Sequence, residues 1–441
     1  MTSSAIVGFL MVLVLVFCLI KKKLLPPVAF ILLPVIAALV CGFGFKDIGK
    51  FGNNGVRGMV STVSLFVFSI SFFSLMGEVG VFDAIVNKLT KIAGNNVAAI
   101  MLVTGAVGVI GHLDGSGATT YIITITAMAP IFKKLNLDKR NLMLITSIAI
   151  GVMNVMPWAG PTLRAASVLQ MDAAELWHPL IPVQIACLVL LFVVAFILSR
   201  LELRKMARTS SGAAIPIDDS ADSAASAVSQ RLIDPSRKGL MTVNYILTLG
   251  VIAVLVLNVL PSAFTFMLAL ALGLVINIRD IKVQSKKLKE YGTAAMAMVV
   301  TLFAAGIFTG VLKETKMLDS MASAIVTLIP AAVGQYTHLI VAFFAVPLIM
   351  CLGTDSFYYG LLPVVIGVAE NFGVAPVSVA HTLIVAENIG VVISPLTPAV
   401  YLGLGLLDLD IGEHIKYSLP WIWALSILFT LVAVVIGVAP L

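Results

Sequence analysis

The chain has 441 residues, of which 60% are hydrophobic and only 11% charged, and its formal net charge is +6. Soluble domains carry roughly 25% charged residues, so a water-soluble enzyme or binding module is excluded and an all-α polytopic membrane protein is indicated. The basic excess lies in loops between apolar runs, where membrane topology explains it without nucleic acid as a partner.

Apolar runs of the ~17–25 residues that span a bilayer as helices occupy 4–20, 24–43, 59–77, 141–163, 179–199, 243–260, 263–278, 292–312, 380–407 and 417–438. The first reads as a retained helix, because Lys21, Lys22 and Lys23 follow its apolar run where a signal peptide has its charges ahead. Two further apolar stretches, 97–132 and 336–371, are broken at their centres by glycine and polar residues, and each is long enough to enter the membrane and return to the same side. The segment 200–242 is rich in Ser, Ala and charge without apolar periodicity, and reads as a cytoplasmic linker. With that segment inside, the inside loops hold 22 of the 28 Lys and Arg residues, which places both termini outside. The four cysteines lie apart in apolar runs and suggest neither zinc nor disulfides.

The linker separates two similar halves, 1–199 and 243–441. Glu78 and Asp83 match Glu314 and Asp319, and Asp114 matches Asp355. Pro157 and Pro161 match Pro395 and Pro398, while Asp172, Glu175 and Pro182 match Asp410, Glu413 and Pro420, all at offsets of 236 to 241. An odd number of spans per half turns the second copy upside down. Inverted repeats with interrupted helices are how secondary transporters build substrate sites near the midplane.

Non-helical backbone at that depth survives only where protein buries it or it lines a cavity. The first hairpin tip, GHLDGSGATTY (111–121), offers Gly115 and Gly117 for φ > 0 and close ligand approach, with hydroxyls from Ser116 and Thr119. The half-helix that follows directs its N-terminal N–H groups at the site, which suits a carboxylate substrate. CLGTDSFYYG (351–360) repeats the design with Gly353, Thr354, Asp355 and Ser356. The spanning helices 141–163 and 380–407 are broken at VMNVMPWAGPT and VVISPLTPA, where prolines free carbonyls. Those carbonyls, with Asn154, Thr162, Ser394 and Thr397, are ready oxygen ligands.

Intramembrane charge costs about 2.5–3.5 kcal/mol per residue, which singles out Asp114, Arg164, Asp355 and Glu387. Two carboxylates near one site welcome a cation, a proton or an anion already neutralised by metal. Arg164 suits a bidentate carboxylate clamp, and Glu387 suits proton coupling. The plainer alternatives are helix caps for the aspartates, an interfacial snorkelling arginine, a paired structural glutamate, and a core histidine at His112. Nucleotide-binding, zinc-protease and serine-hydrolase motifs are absent from the sequence, so neither an enzyme nor a resident cofactor is expected.

DGSGATTYIITITAMAP, GVMNVMPWAGPTLRA and LWHPLIP in the first half, with LGTDSFYYGLLPVV, ISPLTPAVYL and IGEHIKYSLPW in the second, resemble the citrate–metal–proton symporters, the CitMHS family of the ion transporter superfamily. The resemblance covers most of the chain. It implies a homodimeric, lipid-embedded carrier of the bacterial inner membrane, split into a scaffold and an elevator-like transport domain that carries both hairpins. It also implies uptake of citrate complexed with a divalent cation of the Mg or Ca type, coupled to protons. On this reading Gly115, Ser116, Gly117, Thr119, Pro161, Thr162, Arg164, Gly353, Thr354, Ser356, Ser394 and Pro395 contact substrate, while Asp114, Asn154, Asp355, Glu387 and Thr397 take metal or proton. Two departures stand out. The family's Asp-Gly-Asp-Gly tip reads Asp114-Gly115-Ser116-Gly117 here, and its Gln-Pro-x-His type of stretch reads Glu387-Asn388-Ile389-Gly390. Alternatives on the same residues are a sodium- or proton-coupled carrier of another di- or tricarboxylate or hydroxy acid, and a cation–proton antiporter.

Overall fold

The structure, a computed structural model, describes residues 3–209 and 238–441. Regular structure among the described residues is entirely helical. Among the described residues seven helices are long and apolar enough to cross a membrane, including Val60–Val79, Ile281–Glu314 and Ile411–Ile436. Shorter apolar helices such as Pro26–Val40 and Ser262–Asn277 lie between them. The chain is a multi-pass, all-α membrane protein.

Helices outrun the apolar segments where capping and helix-forming polar residues continue them. The run expected at 292–312 lies within Ile281–Glu314, which starts at Asp280, whose side chain accepts the N–H of Lys282 at 2.7 Å. Its first three turns carry Lys282, Lys286, Lys287 and Lys289. Similarly, helix Ile181–Thr209 continues through the first residues assigned to the linker. The central part of that linker, 210–237, lies outside the described residues.

One group of helices forms a framework. Phe45–Gly58 is amphipathic, burying Ile48, Gly52 and Gly55 while Lys46, Lys50 and Arg57 stay exposed. Those small residues let it lie directly on Ile281–Glu314, where a Cβ on Gly55 would run into the Gly306 carbonyl. Gly306 and Gly310 sit four apart on the facing helix, the small-residue spacing that brings membrane helices close. A carboxylate serves at each end of Ile281–Glu314: Glu78 of the adjacent helix Val60–Val79 accepts from Tyr291 Oη at 2.9 Å and Lys287 Nζ at 3.1 Å, and Glu314 accepts from Asn54 Nδ2 of Phe45–Gly58 at 3.5 Å.

The interrupted elements form the other group. Helices Val97–Gly111 and Gly117–Lys134 pack together as a hairpin. Lys139–Met153 stops at Asn154 and resumes as Gly160–Leu169; Pro376–Glu387 stops at Asn388 and resumes as Pro398–Leu407. The stretch from Thr337 to Glu370 is a second hairpin, helical in pieces, whose end helices Thr337–Phe343 and Leu362–Glu370 pack together, with Gly353 at φ 72°, ψ 163° near its tip and a wide π turn over Ser356–Leu361. Helices Ile181–Thr209 and Ile411–Ile436 pack against the broken helices. Trp158, inside the first break, stacks with Phe73 and Phe266 of the framework at centroid distances of 5.3 Å each.

Between the first hairpin and the first broken helix, Asp138 caps helix Lys139–Met153 and pairs with Arg140 at 2.6 Å and Lys205 at 3.3 Å. Burial works against the charged form of this loop carboxyl, yet the hydrogen bonds and charge of Arg140, with Lys205 behind, outweigh it and pull its pKa down to about 2.

Candidate substrate site where hairpins and broken helices meet

Each hairpin tip turns on a glycine. Gly115 and Gly353 both have φ +72°, a conformation that costs any residue with a Cβ. At the first tip Asp114 Oδ1 accepts the Ser116 N–H at 2.8 Å. Ser116 Oγ then caps the next helix, accepting from Thr119 N at 3.3 Å and Thr119 Oγ1 at 3.1 Å. The tip is fastened to the first break. His112 Nε2 lies 3.0 Å from Asn154 Oδ1, its Nδ1 lies 2.7 Å from Thr120 Oγ1, and Trp158 Nε1 donates to the Leu113 carbonyl at 2.8 Å.

The second tip is fastened twice. Asp355 Oδ1 accepts from Arg164 Nε at 2.7 Å, tying hairpin two to the helix beyond the first break. Tyr358 Oη donates to Glu387 Oε2 at 2.7 Å and lies 3.3 Å from Asn388 Oδ1, tying the same hairpin to the second break. Asn154 and Asn388 therefore play parallel parts: each caps the first half of a broken helix and meets a side chain from a hairpin.

These four interruptions enclose a cavity of about 150 Å³. Gly115, Gly117 and Thr354 reach it from the tips; Asn154, Pro161, Arg164 and Thr397 reach it from the breaks. Helices beginning at Gly117, Gly160 and Pro398 open onto it, so the positive ends of three helix dipoles face the space. The Arg164 side chain is 15% exposed, and Nε is its one hydrogen-bonding atom among the described residues, so the two Nη groups are unspent. An anion with planar oxygens is what such a lining favours.

Several other anticipated residues stand behind the lining. Thr162 Oγ1 donates to the carbonyls of Asn154 and Val155, both at 3.0 Å, satisfying backbone the break would otherwise orphan. Ser394 does similar work, donating to Ile349 O and accepting from Leu396 N. Asp114, Ser116, Thr119, Gly353 and Pro395 shape the tips and the second break without lining the cavity. Asp355 acts on it through Arg164, Ser356 is buried, and Glu387 is fully buried behind Tyr358. Among the described residues no three His, Cys, Asp or Glu side chains gather as a metal site. Tyr358 and Asn388 escaped the sequence reading. Asn388 carried a readable signal, since Asn154 marks the other break; Tyr358 carried none, because its partners lie 29 and 30 residues away.

A polytopic helical protein whose interrupted helices converge on one cationic cavity is a membrane transporter. Residues 15–386 match the family model for citrate transporters, and the chain belongs to that family, CitMHS. It is 34% identical over 434 residues to the citrate transporter of Bacillus subtilis (strain 168), covering 98% of this chain and 99% of that one. It is 33% identical over 433 residues to the Mg(2+)/citrate complex secondary transporter of the same organism, with 98% of each covered. Among solved structures it is similar to the Alcanivorax borkumensis YdaH transporter, described as having an unusual topology, with a TM-score of 0.56, 17% identity and 90% of each chain covered. That likeness speaks to the fold.

Proposed function

We propose that the chain is a secondary active symporter of citrate, carried as a complex with a divalent cation and coupled to protons. The observation that carries this reading is the cavity where both hairpin tips and both broken helices meet around Arg164. One citrate carboxylate docks on the Arg164 Nη groups, with Thr354 and the helix N-termini at Gly117 and Gly160 serving the remaining oxygens. The cation belongs to the cargo. Citrate supplies most of its ligands, and Asn154 and Thr397 offer a carbonyl and a hydroxyl beside it. A tricarboxylate bearing a divalent cation retains one negative charge, which suits a site whose one arginine is already half-neutralised by Asp355. The relative described as carrying a Mg(2+)/citrate complex supports the metal.

On this reading the two halves are an inverted repeat. The hairpins and broken helices move as one body against the framework, two copies assemble in the bacterial inner membrane, and both termini face outward. The test is uptake of labelled citrate into proteoliposomes under an inward proton gradient, with and without magnesium or calcium. Uptake that needs both metal and gradient supports the reading. Entry of other carboxylates in place of citrate moves the substrate, and sodium or potassium flux without any carboxylate replaces the reading with cation–proton antiport.

A further inference from the structure

Glu387 is an unusual residue to find where it is. It is 0% exposed, and among the described residues Tyr358 Oη is its one hydrogen-bond donor and its Oε1 has no partner. Beside it the Asn388 Nδ2 group is also buried and unpartnered, as is Ser356 Oγ at the start of the wide turn that carries Tyr358. An ionised carboxylate sealed in protein demands compensation from charge or several donors, and Glu387 has one hydroxyl. Neither oxygen lines the substrate cavity.

The surroundings of Glu387 leave few groups that act on it. Helix Gly160–Leu169 presents Arg164, whose positive charge reaches Glu387 and favours its carboxylate form, although its one hydrogen bond among the described residues, from Nε, goes to Asp355 of hairpin two. The wide turn presents Tyr358, and also Tyr359, whose hydroxyl meets Ser167. On helix Ile411–Ile436, His414 is held by Val392 O and Ser418, Tyr417 donates to Asn141, Glu413 pairs with Arg140, and Lys416 is exposed. His338 of Thr337–Phe343 meets the Pro440 carbonyl, and Glu370 of Leu362–Glu370 is exposed. On its own helix His381 meets Leu176 O.

We propose that Glu387 is the coupling-proton site of this carrier, separate from the substrate cavity, and that Tyr358 makes its occupancy a latch on the second hairpin. This rests on the reading of the chain as a proton-coupled carrier. With Glu387 protonated, the hairpin closes over a neutral carboxyl and the Tyr358 bond joins tip to break. Loss of the proton leaves a carboxylate that needs water, and the hairpin must lift to admit it. Substrate reaches the same hairpin through Arg164 and Asp355, so proton and substrate bias one element.

Two measurements on the full-length protein test this. In proteoliposomes, Glu387→Gln should lower gradient-driven citrate uptake at least tenfold more than citrate–citrate exchange, and the uptake that remains should not respond to pH; Glu387→Asp should restore part of the response. Hydrogen exchange of 351–361 without substrate, corrected for intrinsic rates, should rise with pH in the wild type and stay flat in Glu387→Gln. Tyr358→Phe should raise that exchange at low pH by at least threefold. Wild-type pH dependence of uptake in Glu387→Gln, or hydrogen exchange independent of pH in the wild type, overturns the proposal. So does restoration of Glu387→Gln uptake or of pH-matched latching by sodium. A wild type that ignores every carboxylate yet shows the pH-gated exchange would sink the citrate reading while leaving the latch standing.

Discussion

Replacing Arg164 by lysine keeps the charge in the cavity and removes the fork. In the wild type Nε is committed to Asp355 at 2.7 Å, and the two Nη groups stay free for substrate. A lysine ammonium has no fixed geometry with which to hold Asp355 and a substrate carboxylate together. The loss is one charge-assisted hydrogen bond of two, about 1.5–3 kcal/mol. At 1.4 kcal/mol per decade that is a rise of roughly 10- to 150-fold in KM for citrate, with kcat within about threefold. Initial rates of metal-dependent citrate uptake in proteoliposomes, normalised to monodisperse protein, measure it. Arg164→Met should go further, because it removes the fork and leaves the partly buried Asp355 carboxylate without its partner, and should abolish uptake; adding Asp355→Asn should recover fold and expression without recovering transport. A lysine variant whose KM lies within twofold of wild type would refute the clamp and return Arg164 to a structural role.

Other consequences are independent of the substrate. Asp138 has its folded pKa depressed from 3.8 to about 2, so its contribution to stability is present above pH ~4 and is lost as pH falls towards 2. Asp138→Asn should therefore lower stability by about 2 kcal/mol at neutral pH, and thermal melts in detergent should show the gap to wild type closing between pH 4 and 2. A gap that persists at the acid end would locate the effect in the packing of the side chain and not in its charge, since asparagine caps a helix as well as aspartate does. Gly55→Ala should impair folding, because its Cβ meets the Gly306 carbonyl, whereas Gly49→Ala, with nothing within 4 Å, should be neutral or slightly stabilising; size-exclusion profiles and melts distinguish them. Gly353→Ala should cost about 1–3 kcal/mol, because φ +72° with ψ 163° is a backbone region that essentially only glycine occupies, and its melting temperature relative to wild type reads that out.

Composition and punctuation determined much of this protein locally. Apolar runs bounded by charge name the class, because water and lipid sort side chains whatever the neighbouring helix is. Prolines at 157, 161, 395 and 398 and glycines at 115 and 353 announce interruptions, because each constrains its own backbone, and the breaks fall there. Helix Phe45–Gly58 has no apolar length to mark it in the sequence, only the helical spacing of its buried Ile48, Gly52 and Gly55. Which side chain meets which was a different matter. Arg164 and Asp355 are 191 residues apart, and the use of Asp355 as an arginine anchor follows from that meeting alone. Thr162 and Ser394 looked like ligands because hydroxyls at a break can turn either way, and the packed backbone claimed them. Tyr358 and Glu387 became a pair only when the second hairpin closed on the second break. Hydropathy and backbone constraint act within a few residues and can be read along the chain, whereas ion pairs and buried hydrogen bonds depend on distances that exist only once the helices have packed.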